Sequence, residues 1–160
     1  MNKPTFDESF ELAVDLTKQA WNSVKSDEDA TPFLMIAGKN KGYIVPTADL
    51  QNRKEQWRDV VLPAAIKKLQ AHHYVVSLSA WMSVYSKDED LSNKPTPAND
   101  LRAKEVVVVS GCTPTETRLV IYHVVRKHGE APSLELLPEM DSMESFTSEW
   151  LHQSLLKEIA

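Results

Sequence analysis

The sequence predicts an α+β fold: an antiparallel sheet of about four strands, an N-terminal β-hairpin, and three to four helices packed on the sheet. Three observations carry this. Residues 74–86 (YVVSLSAWMSVYS) place an apolar side chain at every even position from Tyr74 to Val84, the period of two that marks a β-strand. Residues 105–110 and 117–127 are apolar at both odd and even positions and are joined by a short turn, GCTPTE. Such strands belong to a sheet covered on both faces. Finally, three stretches carry helix-type spacing behind capping residues, at Thr5, Thr47 and Asp141.

In chain order, Thr5 and Glu8 form a T-x-x-E capping box, in which hydroxyl and carboxylate satisfy early backbone donors. Phe10, Ala13, Val14, Ala20, Trp21 and Val24 then recur at spacings of three and four, giving a helix that stops near Ser26. Asp7, Glu8 and Glu11 lie in its first turns, where the helix dipole favours negative charge. FLMIA (33–37) and GYIV (42–45) flank GKNKG and read as a β-hairpin. Thr47 is placed to cap a second helix carrying Leu50, Trp57, Val60, Val61 and Ala64. Pro63 falls inside that pattern, so a kink or break is expected near Val61, with helix resuming to about Ala71. After the strand at 74–86, residues 87–103 run 17 residues with two prolines and no periodicity. A loop of that length in a compact domain is functional or disordered. Leu134 to Leu137 is a short strand, and Asp141 and Glu144 cap a last helix with Met143, Phe146, Trp150, Leu151 and Leu155.

A chain of 160 residues is about one domain, here residues 1–160 with 87–103 as a flexible loop. Its 42% apolar content is that of an ordinary globular protein. Cys112 is the single cysteine, so no disulfide forms within the chain, which suits a reducing compartment. Acidic residues interrupt the first segment where a secretory leader needs an apolar run. The expected location is cytoplasmic, with no membrane association. A net charge of −5 disfavours general nucleic-acid binding, although Arg102, Lys104, Arg118, Arg126 and Lys127 flank two strands. Residues 130–149 hold six acids and no base, and a solvated surface accounts for them.

The catalytic patterns are sparse. Cys112 and Arg118 stand in the C-x5-R spacing with which tyrosine phosphatases surround a phosphate. Here the loop contains Pro114 and Glu116, lacks an inner glycine and leads into a strand rather than a helix N-terminus. A β-turn with a half-buried thiol is the plainer expectation. Among His72, His73, His123, His128 and His152 there is no i, i+4 ligand pair or HExxH, so no metal or other cofactor is called for. Asp100, Lys104 and Glu105 open a strand beside the proline-bearing loop and are the most enzyme-like cluster. With His123 and His128 they define the alternative reading, a small metal-dependent hydrolase or nuclease.

The binding candidates are Ser77, Ser79, Trp81, Ser83 and Tyr85, the odd positions of the strand at 74–86. Small serines let a helix approach closely, and they also offer hydroxyls to a ligand; aromatic residues anchor interfaces. Covered by a helix, this face is core; left open, it is a binding surface for a protein or a small molecule. The leading expectation is a non-catalytic interaction or self-associating domain.

Overall fold

The first helix begins as its capping box predicts. In a computed structural model that describes residues 4–47, 53–82 and 104–137, α1 spans Phe6–Asn22. Glu8 N–H donates to Thr5 Oγ1 at 3.1 Å, and Thr5 N–H donates to Glu8 Oε1 at 3.3 Å. The buried side of α1 is Ser9, Phe10, Ala13, Thr17 and Trp21, an i, i+4 line down one face. The helix ends before Ser26, where Ser23 N–H closes back on the Ala20 carbonyl at 3.2 Å.

Among the described residues six strands follow in a single antiparallel sheet: β1 (Phe33–Ala37), β2 (Gly42–Pro46), β3 (His73–Met82), β4 (Lys104–Cys112), β5 (Thr117–Val125) and β6 (Ser133–Leu136). Their spatial order is β2-β1-β3-β4-β5-β6. Two parts of the sequence expectation are corrected here, though the α+β class holds. The hairpin is not a separate unit beside a four-stranded sheet: β1 pairs with β3, Leu34 opposite Val76 and Ile36 opposite Tyr74, so β1 and β2 extend the same sheet to six strands. FLMIA is apolar on both faces because β1 is an interior strand with cover above and below. And there are two helices among the described residues rather than three to four. The expected last helix and the loop at 87–103 lie outside the described residues.

The second helix runs as α2 (Lys54–Gln56), a π-helical stretch (Trp57–Val61) and α3 (Leu62–Leu69). Thr47 does not cap it. Thr47 instead finishes β2, buried, with its N–H on the Pro32 carbonyl at 2.8 Å. The expected break at Val61 is a widened turn. Leu62 N–H reaches the Trp57 carbonyl, five residues back, immediately before Pro63. A proline lacks the donor for the i−4 carbonyl and its ring crowds that group; widening the turn ahead of it accommodates both. The helix closes at Gln70, left-handed at φ 51°, whose N–H bonds to Ile66 and Lys67 carbonyls.

The two helices cover opposite faces of the sheet. On one side Leu62 and Ile66 pack with Leu34, Ile36, Tyr74, Val76 and Leu78. Each such fully buried aliphatic side chain contributes about 1.5–3 kcal/mol. On the other, α1 sets Phe10 and Ala13 on Met35, Val75 and Val109, and Trp21 on Val107 and Val124. Gly111 makes the fit at the N-terminal end of α1 possible. A Cβ there would lie 2.7 Å from the Phe6 ring and 3.1 Å from that of Phe10. Two guanidinium clamps fix the ends of β5 to the α1 layer. Arg118 lies over the rings of Phe6 and Phe10 and pairs with Asp7 at 2.7 Å and Glu116 at 2.8 Å. Arg126 stacks on Trp21, binds both Glu105 oxygens, pairs with Asp29 and donates to the Ser26 and Glu28 carbonyls.

Candidate functional site

The serine–aromatic face of β3 is divided by α1. Ser77 is buried beneath the helix, its Oγ 2.8 Å from Thr17 Oγ1. Thr17 gives its own proton to the Ala13 carbonyl at 2.7 Å, so Ser77 is the donor between the two hydroxyls. Ser79 is half-buried further along, and Trp81 is 52% exposed. Ser83 and Tyr85 lie outside the described residues. Within the described part of the strand, the small residue beneath the helix serves close packing, and the aromatic further along is about half exposed.

One residue N-terminal to Tyr74, the same face holds a buried polar chain. His73 Nε2 lies 2.8 Å from Ser9 Oγ, and His73 Nδ1 lies 2.8 Å from His72 Nδ1. Phe6 closes over His73 edge-on at 5.5 Å between ring centroids. Burial, and the neighbouring His72, push the His73 pKa down from 6.5 to about 4. Near neutral pH the ring is uncharged, and the gap between the two Nδ1 atoms holds one proton. If His72 supplies it, His73 donates to Ser9; if His73 supplies it, Ser9 donates to His73. A serine beside a histidine suggests nucleophilic catalysis, but the chemistry is poor. A base with a pKa of about 4 is weak for deprotonating a hydroxyl near neutrality. Ser9 is also 3% exposed and sits within a helix, its own N–H bonded to the Thr5 carbonyl.

The other sequence candidates separate by strand parity. Cys112 is buried against the α3 layer, opposite Tyr74, and burial pushes its thiol up to about 12. Across the β4–β5 pair Cys112 faces Thr117, while Arg118 faces Gly111 and lies on the α1 face over Phe6. Thiol and guanidinium therefore do not share a site. Glu105 points to the α1 face and is held by Arg126. His123 pairs with Val106, whose side chain packs in the opposite layer. The structure does not bring Glu105 and His123 together. Lys104 and His128 are exposed, and Asp100 and His152 lie outside the described residues. Among the described residues no group of three His, Cys, Asp or Glu side chains could hold a metal ion.

What the structure does assemble is an apolar edge. A groove of about 330 Å³ lies between the first turns of α1 and the β1–β2 hairpin, with Pro4, Leu12, Met35 and Ile44 among its walls and Ser9 and Glu8 as its polar members. Leu12 is 47% exposed and Ile44 53%. On the opposite face of β2, Val45 is 40% exposed. Beyond β2 no further described strand pairs. Two signals in the sequence mark this site: Leu12 stands off the apolar stripe of α1, and GYIVP is apolar on both faces but short and ended by proline.

No family model matches the chain, and no curated protein or solved structure matches it either. Among the described residues no helix is long and apolar enough to cross a membrane.

Proposed function

We propose that this chain is a non-catalytic, cytoplasmic interaction domain that binds polypeptide along its α1–β2 edge. The observation that carries the reading is the coincidence of an edge strand with exposed apolar side chains on both of its faces, Ile44 and Val45, and an apolar groove beside it. Edge strands that avoid partners carry charge, and β2 carries none between Gly42 and Pro46. An extended segment adding to such an edge gains main-chain hydrogen bonds, while alternate side chains enter the groove. The polar chain under the groove suits a scaffold role: it ties Ser9 of α1 to His73 of β3 and so holds the groove's helical wall against the sheet.

Peptide display against the immobilised chain tests this. Extended sequences with alternating apolar residues are expected to be enriched, and Leu12→Lys or Ile44→Lys should weaken their binding at least tenfold. Failure to enrich any sequence, or binding that survives both substitutions, overturns the reading.

A further inference from the structure

We infer that the partner of this edge is a second copy of the chain, joined by antiparallel pairing of β2 with β2 about a two-fold axis at Ile44. This rests on the reading of the α1–β2 edge as a polypeptide-binding surface. The hydrogen-bond phase of the hairpin fixes which groups point outward. Gly38 N–H bonds to the Lys41 carbonyl at 2.9 Å and Thr47 N–H to the Pro32 carbonyl at 2.8 Å. With Ile36 opposite Tyr43 and Leu34 opposite Val45, the odd-numbered residues of β2 bond inward to β1. Gly42, Ile44 and Pro46 therefore turn their backbone groups away from the sheet.

That outward row is complementary to itself. When Ile44 faces Ile44 of the second copy, each Ile44 N–H meets the other's carbonyl. Each Gly42 N–H then meets the second copy's Pro46 carbonyl. The donor that Pro46 lacks falls opposite a Gly42 carbonyl at the exposed end of the seam, where water serves it. This is the antiparallel register in which the whole of β2 overlaps itself. A shift one way sets Pro46 against Ile44 and loses a central bond; a shift the other way moves Pro46 off the strand.

The side chains follow the same symmetry. On the α1 face Ile44 meets Ile44. On the α3 face Val45 meets Tyr43, a β-branched residue against an aromatic, a favourable cross-strand pair. Every apolar side chain that β2 exposes gains an apolar neighbour, and no charged residue of β2 is brought into the seam. A seam of this length is small for a stable interface, which needs more than about 1,000 Å². The dimer is accordingly expected to be reversible and concentration-dependent.

Ile44→Cys tests the seam in the full chain. In a hydrogen-bonded antiparallel pair the Cα atoms are about 5.5 Å apart, within reach of a disulfide. Buried Cys112 leaves the background silent. Under oxidised glutathione, Ile44→Cys is expected to become mostly disulfide-linked dimer, while Leu136→Cys on the opposite edge strand stays monomeric. Light scattering of the unmodified chain across a concentration series should show a mass rising from 18.1 kDa toward twice that value. A dimer in solution without the Ile44→Cys cross-link, or equal cross-linking at Leu136→Cys, overturns the seam. A chain that stays monomeric at every concentration while its edge still selects peptides overturns the second copy as partner and leaves the polypeptide-binding reading standing.

Discussion

His73 is a histidine whose environment refuses a proton. In the unfolded chain its pKa is near 6.5; in the fold, burial and His72 lower it to about 4. The unfolded state therefore takes up a proton between these values that the native state does not. Stability from this group is intact above pH 6.5 and is lost as pH falls toward 4, by about 3 kcal/mol in total. Urea unfolding of the native chain and of His73→Gln at pH 7, 5.5 and 4 isolates the effect. The substitution should lower stability at pH 7 and flatten the acid slope; an unchanged slope would refute the assignment. Gly111 is the second residue on which packing turns. A methyl group there collides with Phe6 and Phe10, so Gly111→Ala should cost about 1–3 kcal/mol in the same measurement. A neutral result would mean that α1 can lift from β4 at little cost.

At the level of elements, the second helix shows how a local conflict is absorbed. Pro63 sits where the pattern of Trp57, Leu62 and Ile66 demands continuity, and the core requires Leu62 and Ile66 on one face. A widened turn at Trp57–Val61 keeps both, so the proline neither ends nor restarts the helix. At the C-terminal end of the same helix, Gln70 occupies a left-handed conformation that glycine adopts more easily. Gln70→Gly is expected to raise stability by about 0.5–1 kcal/mol in thermal or urea unfolding. A decrease would show that the Gln70 side chain contributes more than its backbone costs. Much of this level was legible in the sequence. The capping box of Thr5 and Glu8, the apolar face of α1 and residues 33–37 as a strand were all read from period and chemistry, although the interior position of that strand was not. The fate of Pro63 was not, because spacing locates the conflict but not the hydrogen bond that relieves it.

For the whole molecule, the sequence showed faces and hid neighbours. Alternation in β3 and two-sided apolarity in β4 and β5 reveal cover on both sides of a sheet. They do not reveal that β1 lies against β3, since pairing between segments far apart leaves no periodic trace in either. The same limit concealed the candidate site. A strand is an edge only by virtue of where it sits, and β2 became one when β1 took the place beside β3. The serine–aromatic run drew attention because its chemistry is conspicuous, yet α1 occupies its first half through Thr17 and Ser77. The groove at Leu12 and Ile44 is built from unremarkable residues whose meaning comes from assembly.

Cys112 gives this protein a clock. Its thiol lies in the core opposite Tyr74 and holds its proton far above neutral pH. A reagent that needs a thiolate in solvent can reach it only when the sheet and the α2–α3 layer part. The rate at which an alkylating agent consumes the single native thiol thus counts openings of the core, without any label being introduced. The folded chain carries, in one buried sulfur, a record of how often it ceases to be folded.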